Sequence, residues 1–359
     1  MGAITNDQLE TSLDIAELGP LERYLALVVF IFIGIGIIVG KYFPDFVKII
    51  DSLTIKDVVS IPIAMCLFFM MYPIMLKVDL GRIHEAFKNP KAVLITWITA
   101  WFIQPPVMFF LAWLFLKKIF LNYLTLEEAT QFVSGIILVG IAPCTAMVLV
   151  WSYLAKGNLA HTVLMVAINT ITILFIYAPI ANFLLHMNAV KVPFITLLIT
   201  VFMYVGISLI AGHFSRKLLI KKKGIEWLET IFLPKTQRIS IIALLITLIV
   251  IFSSQGGLIL RLPFKIAMIA TPLLGNFIIV FLVTYFVFCK IFKIKYTDAA
   301  PSAIIASSNH FELGIATAIT LFGISSNAAL ATVVVPLIEV PVMLTIVKIC
   351  LNTRNIFHS

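Results

Sequence analysis

The sequence predicts an all-α membrane protein, and three observations lead to this fold class. The chain has 359 residues, of which 61% are hydrophobic and 12% are charged. A soluble domain is about 45–50% apolar and about 25% charged, so a water-soluble fold of this size would lack the charges to cover its surface. Apolar stretches of about 20 residues recur along the chain, and this length suits a helix that crosses the bilayer.

These stretches predict ten transmembrane helices joined by short links, with no segment long enough for a soluble domain. The strands of a membrane barrel alternate apolar and polar residues, and these stretches do not, so a barrel is excluded. The predicted spans are Tyr24–Phe43, Val58–Leu76, Ala92–Leu116, Phe132–Ala155, Ala160–His186, Val192–Phe214, Ile239–Gly256, Ile266–Phe292, Ala299–Phe322 and Asn327–Leu351.

Lysine and arginine residues in the links predict the orientation. Of the 26 basic residues, 18 fall on the side that holds both ends of the chain and 8 on the other side. The positive-inside rule therefore predicts a multi-pass protein of the plasma (inner) membrane with cytoplasmic N- and C-termini. Because the composition is that of a membrane protein, the net charge of +9 does not indicate nucleic acid binding, and no nucleic acid partner is expected.

The charges of two further segments, residues 1–20 and Lys221–Lys223, indicate their location. Residues 1–20 carry four acidic residues and no lysine or arginine. A secretory signal begins with basic residues, so this segment is predicted to be a cytoplasmic tail. The run Lys221–Lys223 is interpreted as a cytoplasmic anchor, with recognition of anionic lipid as the alternative.

Two carboxylates lie at predicted membrane depth. Fifteen of the 17 acidic residues fall in tails, links or span ends, whereas Glu312 lies in the ninth span and Glu339 in the tenth. A charged side chain there costs about 2.5–3.5 kcal/mol on insertion scales, so each is expected to face the bundle interior with a partner. Each carboxylate forms either an interhelical hydrogen bond that only holds helices together or a cation or proton site, and the second interpretation is favoured.

The ninth span begins with an unusually polar segment. Five of the six residues in Ser307–Glu312 are polar, which predicts a break that exposes backbone carbonyls and a half-helix end, as in transporter ion sites. Asn309 and Glu312 are three residues apart and would share a face if this segment were helical.

The fourth span has a matching irregularity. Pro143 lies in Gly140–Met147 and predicts a kink or break, because proline lacks a backbone donor. Cys144 follows this breaker and is interpreted as a functional thiol, whereas the other cysteines are read as small buried hydrophobes. Trp151, seven residues later, would lie on the same helical face, and Asn169 is a buried amide in the fifth span.

The two halves of the chain correspond weakly. Each half contains an odd number of predicted spans, so a repeat between residues 21–190 and residues 191–359 would be inverted, with the broken fourth and ninth helices crossing at mid-membrane. Three pairs of unusual residues are 166 or 167 positions apart: Pro105 and Pro272, Pro143 and Asn309, and Asn169 and Pro336.

These residues resemble a known family. The segment 140–157, GIAPCTAMVLVWSYLAKG, is similar to the fourth-span signature of the Acr-type arsenite efflux permeases, in the bile-acid/arsenite/riboflavin transporter superfamily. Asn309–Leu313, Ala329–Val333 and Ile338–Leu344 resemble its ninth- and tenth-span signatures. The resemblance extends over nearly the whole chain.

The resemblance implies a fold and a set of functional residues. The fold would be two inverted five-helix repeats, with spans 3–5 and 8–10 forming a core domain and spans 1, 2, 6 and 7 a panel. Cys144 would be the residue needed for arsenite, Glu312 and Glu339 the functional carboxylates, and Trp151 and Asn169 further functional positions.

Two positions depart from the pattern of many family members. Pro143 stands where many have arginine, and His310 stands where many have asparagine. The imidazole of His310 would lie two residues from Glu312, the proposed coupling carboxylate.

The resemblance thus implies arsenite efflux by secondary transport with proton antiport, which confers arsenic resistance. As(III) is soft and favours a thiolate, so Cys144 is expected to contact it, in a substrate site with Trp151, Asn169 and Glu339. Glu312, with Asn309 and His310, is expected to carry the coupling ion. Antimonite transport, sodium in place of protons and docking of an ATPase subunit stay open, and no cofactor is expected.

Two alternatives differ in class. The same fold with Glu312 as a sodium ligand would be a sodium-coupled symporter of an organic anion, which an ion swap would distinguish. A membrane-embedded sensor would need a cytoplasmic output domain, and the longest predicted cytoplasmic link, Ser215–Gln237, is too short for one. The chain is not expected to be an enzyme, because it has no Walker motif and its six histidines are scattered.

Overall fold

The computed structural model of the chain describes residues 25–43, 45, 52–55, 59–77, 90–145 and 147–357. These residues are almost entirely helical, which confirms the predicted all-α class. One short antiparallel pair joins β1 (Thr54–Ile55) to β2 (Val59–Ser60). The predicted tail, residues 1–20, lies outside the described residues.

Six helices of the described chain are long and apolar enough to cross a membrane. Each is at least 26 residues long, and 18 residues of such a helix already extend about 27 Å. They are α3 (Pro90–Ile119), α6 (Leu159–Met187), α7 (Phe194–Lys223), α8 (225–261), α9 (Pro263–Cys289) and α12 (Asn327–Asn352). The chain is therefore a multi-pass membrane protein.

The other helices are shorter. They are α1 (Leu25–Tyr42), α2 (Ile61–Lys77), α4 (Leu126–Gly140), α5 (Val148–Leu154), α10 (Tyr296–Ser307) and α11 (Phe311–Phe322). The predicted fourth span is divided into α4 and α5, and the predicted ninth span into α10 and α11. Both breaks predicted from the sequence are confirmed.

Helix α4 begins six residues before the predicted start at Phe132, and a capping box sets this boundary. The Thr125 hydroxyl accepts from the Glu128 N–H at 3.1 Å, and the Glu128 carboxylate accepts from the Thr125 N–H at 3.1 Å. Lys265 of α9 also pairs with Glu128. Hydropathy placed the start of this helix too late because its first turn contains polar residues.

The predicted link Ser215–Gln237 is mostly helical rather than a loop, and its cytoplasmic placement stays a prediction. Helix α7 continues to Lys223, and α8 begins at Ile225. Gly224 separates them with a φ of +85°, a conformation that glycine adopts without a Cβ clash. The run Lys221–Lys223 forms the last turn of α7, where lysine complements the helix dipole.

The helices pack in two groups. In one group, α8 packs against α1 and α2, and α2 packs against α7. In the other, α12 packs against α4, α9 and α11, while α3 packs against α4 and α9. The groups meet where α11 contacts α7 and α12 contacts α8, and the Gln255 amide of α8 donates to the carbonyl of Ile324 there. Both helix breaks lie in the α12 group.

Two glycines let α1 approach α8 closely. A Cβ built on Gly40 would lie 2.1 Å from the carbonyl oxygen of Ser253, and one on Gly36 would lie 2.8 Å from the Cβ of Phe252. The spacing of four residues puts both on one face of α1, the small-xxx-small pattern of packed membrane helices.

We expect Gly40→Ala to force α1 away from α8 and to lower the apparent Tm of the purified protein by about 5 °C. Gly34→Ala is the matched control on the same helix, because its Cβ would have nothing within 4 Å and alanine favours helix by about 1 kcal/mol. Thermal unfolding in detergent measures both, and equal Tm values for the two variants would contradict the close approach.

Candidate functional site

The two helix breaks pair with each other through their backbones. The N–H of Cys144 donates to the carbonyl of Ser308 at 3.2 Å, and the N–H of His310 donates to the carbonyl of Ala142 at 2.8 Å. Pro143 thereby lies opposite Asn309 in a single antiparallel bridge. Backbone groups inside a membrane must be satisfied within the protein, and each break satisfies the other.

Helix α6 satisfies a further carbonyl at the fourth-span break. In an unbroken helix the Leu138 carbonyl would accept from the N–H of Ala142, which lies past the end of α4. The hydroxyl of Tyr177 donates to this carbonyl instead, at 2.8 Å. Tyr177 is fully buried, so a side chain of α6 closes the polar end of α4.

Glu339 of α12 holds the ninth-span break. One oxygen of its carboxylate, Oε1, accepts from the hydroxyl of Ser308 and from the N–H of Asn309 at 3.2 Å. Helix α12 runs through Pro336 and Pro341, which bracket this glutamate. The tenth span therefore supplies the acceptor that the extended backbone at the break requires.

Gln104 of α3 is a site residue that the sequence analysis missed. Its amide Nε2 donates to Oδ1 of Asn309 and, at 3.4 Å, to the carbonyl of Ser308. The π-helical turn Thr99–Ile103 precedes it, and the two prolines that follow it remove backbone donors from α3. An amide beside two prolines in an apolar span was the signal that could have found it.

His310 and Glu312 form a buried pair at the start of α11. A hydrogen bond joins Nδ1 of His310 to Oε2 of Glu312 at 3.0 Å. Glu312 lies in the first turn of α11, where the helix dipole favours negative charge. The shared helical face expected for Asn309 and Glu312 is not formed, because Asn309 precedes the helix and bonds to Gln104 and Glu339 instead.

Cys144 lies in the break between α4 and α5, where its N–H donates to the carbonyl of Ser308, the residue whose hydroxyl donates to Glu339. Its side chain is buried. The helical face predicted for Cys144 and Trp151 is not formed, because Cys144 lies in the break that precedes α5.

The remaining predicted residues lie on α5 and α6. Trp151 is buried on α5, and its indole N–H has no hydrogen-bond partner among the described residues. Asn169 of α6 accepts a hydrogen bond from the indole of Trp101 at 3.1 Å, which ties α6 to α3. Asn169 thus bonds to α3 rather than to either break.

Several buried polar atoms at the crossing have no hydrogen-bond partner among the described residues. Such groups are nearly always paired in proteins, so this set is suited to a polar ligand with both donors and acceptors. The atoms are Gln104 Oε1, Asn309 Nδ2, His310 Nε2, Glu312 Oε1 and Glu339 Oε2. In the described part of the chain, no three histidine, cysteine or acidic residues are grouped to hold a metal ion.

Comparison with known proteins places the chain in a family. Residues 64–262 match the model of the Sodium Bile acid symporter family. The chain belongs to this family. It is a family of transporters, in line with the expectation that the chain is not an enzyme.

Three relatives define the branch. The chain is 42% identical over 340 residues to the arsenical-resistance protein Acr3 of Alkaliphilus metalliredigens, covering 95% of each chain. It is 31% identical over 341 residues to Acr3 of Corynebacterium glutamicum, covering 92% of this chain and 89% of that one. It is 48% identical over 341 residues to an uncharacterized transporter of Synechocystis sp., covering 92% and 88%. The chain is therefore a transporter of Acr3 type, and the family resemblance is confirmed.

The Tyr177 bond to the broken end of α4 gives a stability prediction. We expect Tyr177→Phe to leave the Leu138 carbonyl buried and unpaired, at a cost of about 1–3 kcal/mol. The apparent Tm of the purified transporter should fall by a few degrees. Tyr153→Phe is the control, because Tyr153 is 43% exposed; a Tyr177→Phe protein as stable as this control would show that the bond does not support the break.

Proposed function

We propose that the chain exports arsenite across the plasma membrane in exchange for protons and thereby confers arsenic resistance. The Acr3 names of two relatives support the substrate. The observation that carries the proposal is the buried thiol of Cys144, which lies at the pairing of two interrupted helices beside two carboxylates.

The proposed architecture is ten transmembrane helices in two inverted five-helix repeats, residues 21–190 and 191–359. Pairing of the two breaks at Pro143 and Asn309 supports a crossing of the fourth and ninth helices. The caps of α6 and α12, Asn158 and Ser326, are also separated by nearly the repeat interval. Packing of α8 against α1 and α2, and of α2 against α7, supports the proposed panel of spans 1, 2, 6 and 7. Packing of α12 against α4, α9 and α11 supports the proposed core of spans 3–5 and 8–10.

A single thiol suits reversible capture of arsenite. Neutral As(OH)₃ would react with the Cys144 thiol so that a sulfur–arsenic bond forms, one arsenic–hydroxide bond breaks, and the thiol proton leaves with the hydroxide as water. The reverse step releases the substrate. Three thiolates would hold soft As(III) too tightly for turnover, and one allows exchange.

The polar atoms around Cys144 would bind the arsenic hydroxyl groups. Oε2 of Glu339 and Oε1 of Gln104 are acceptors, and Nδ2 of Asn309 is a donor, all without a partner among the described residues. Trp151 adds an indole donor on α5, and Asn169 positions α3 through its bond to Trp101. Antimonite carries a similarly soft centre and is the second substrate to assay.

Glu312 is the proposed proton carrier, in a pair with His310 and next to Asn309. A proton taken up from outside would neutralise this carboxylate and disfavour retained substrate, and its release inside would reset the site. Each inward proton is driven by about 2.3 kcal/mol per 100 mV of membrane potential. The basic residues favour cytoplasmic placement of both termini, and docking of an ATPase subunit on that side stays open.

Sodium-coupled uptake of an organic anion is the second candidate. The description of the matching family favours it, and the oxygens of Gln104 and Glu339 could serve a hard cation. Everted vesicles with an imposed pH gradient, assayed with and without sodium, separate the two. We expect As(III) uptake to follow the pH gradient and to ignore sodium; dependence on sodium alone would overturn proton antiport.

The thiol assignment is tested by Cys144→Ser, which keeps the size and polarity of the site but removes the soft ligand. We expect As(III) uptake into everted vesicles to fall at least tenfold at equal protein level. Cys66→Ser is the matched control, since Cys66 lies on α2 outside the crossing. Uptake by Cys144→Ser at the wild-type rate would show that the thiol is not the arsenic ligand.

The carrier assignment is tested by Glu312→Gln, which keeps the shape of the side chain but cannot exchange a proton. We expect uptake to fall at least tenfold and to lose its response to the pH gradient, while the purified protein still binds arsenite. Glu226→Gln, at an exposed position of α8, should behave as wild type. Undiminished uptake that still responds to the pH gradient in Glu312→Gln would rule out this carboxylate as the carrier.

A further inference from the structure

A cavity of about 620 Å³ lies away from the helix crossing, between the start of α3, the end of α9 and the start of α10. Its lining combines lysine side chains with apolar ones and a single acid. The lining residues are Lys91, Ile291, Phe292, Lys293, Ile294, Lys295 and Asp298.

The cavity lies at one membrane surface. Lys91 is the second residue of α3, and Lys293 lies four residues after the end of α9. Because both helices are long enough to span the bilayer, these positions lie where the spans end. The side chain of Ile291 is 67% exposed and that of Phe292 is 47% exposed. Apolar side chains of this size at a span end are suited to contact with lipid.

The charge of the cavity is positive. Lys91, Lys293 and Lys295 form no ion pair within the described part of the chain, whereas the carboxylate of Asp298 accepts a hydrogen bond from the Asn158 amide at 2.9 Å. Three ammonium groups around one concave surface match a phosphate group in charge and in donor number.

The backbone fixes Lys293 in this lining. Helix α9 ends with the N–H of Ile294 donating to the Cys289 carbonyl at 2.8 Å and that of Lys293 donating to the Lys290 carbonyl at 3.1 Å. In this Schellman arrangement the left-handed position is usually glycine, and Lys293 occupies it with a φ of 54°. Lys156 adopts the same conformation at the end of α5, so the assignment rests on the cavity and not on the backbone conformation of Lys293.

We propose that this cavity binds the phosphate headgroup of an anionic phospholipid. The three lysines hold the phosphate, and the side chains of Ile291 and Phe292 contact the glycerol and acyl region. A free phosphate ion shares the headgroup charge but would leave those two side chains without a partner. Basic pockets between transmembrane helices on the cytoplasmic side commonly bind such headgroups.

Thermal unfolding of the full chain in neutral detergent tests the proposal. We expect added phosphatidylglycerol to raise the apparent Tm by about 3 °C or more, and high salt to reduce this shift. Phosphatidylcholine, which has the same phosphate but no net charge, should give no shift. No shift with phosphatidylglycerol overturns the proposal, and an equal shift with inorganic phosphate alone makes the site one for a free ion and overturns the lipid assignment.

Matched variants locate the effect. Each lysine near an anionic lipid contributes about fivefold in affinity, so replacing Lys91, Lys293 and Lys295 with glutamine should weaken the response about a hundredfold. Replacing Lys217, Lys235 and Lys348, three exposed lysines outside the cavity, with glutamine removes equal charge and should leave the shift unchanged. An equal loss in both triple variants would mean non-specific attraction and would refute the cavity. Lys293→Gly keeps the left-handed turn and should weaken the response about fivefold even if the triple variant fails to fold.

Discussion

The structure depends on two backbone hydrogen bonds that join the break between α4 and α5 to the break between α10 and α11. A break in a membrane helix leaves N–H and C=O groups without partners where water is absent, and each such group costs several kcal/mol. Here the N–H of Cys144 and the N–H of His310 each find a carbonyl on the opposite break. Neither interruption would be stable alone, so the two can exist only where the two spans meet.

The same constraint collects the polar side chains. Backbone at the breaks needs further donors and acceptors, and Gln104 from α3, Tyr177 from α6 and Glu339 from α12 provide them. A carboxylate, an amide and a thiol are thereby held at one place in an otherwise apolar bundle. Their second polar atoms, such as Oε2 of Glu339, have no partner within the described residues and can serve a ligand. Gln104 and Glu339 each use one polar atom to support the fold and leave the other polar atom for a ligand.

Much of this could be predicted from the sequence, because helix breakers and charges are conspicuous in apolar spans. Pro143 and the polar segment before Glu312 predicted both breaks, and the structure has them. The partners could not be predicted: Asn309 bonds to Gln104 and Glu339 rather than to Glu312, since pairing across the crossing depends on how separate spans dock. Hydropathy also missed that the basic segment before Gly224 is helical, because a polar helix and a polar link have the same composition.

The central claim is that the crossing places the Cys144 thiol where arsenic binds. The most direct measurement is X-ray absorption at the arsenic edge on arsenite-loaded protein in which Cys66, Cys289 and Cys350 are replaced by serine. We expect one sulfur neighbour and oxygens in the arsenic coordination shell. The sulfur neighbour should disappear when Cys144 is also replaced. A shell of oxygens alone, with arsenite bound and Cys144 intact, would contradict this claim.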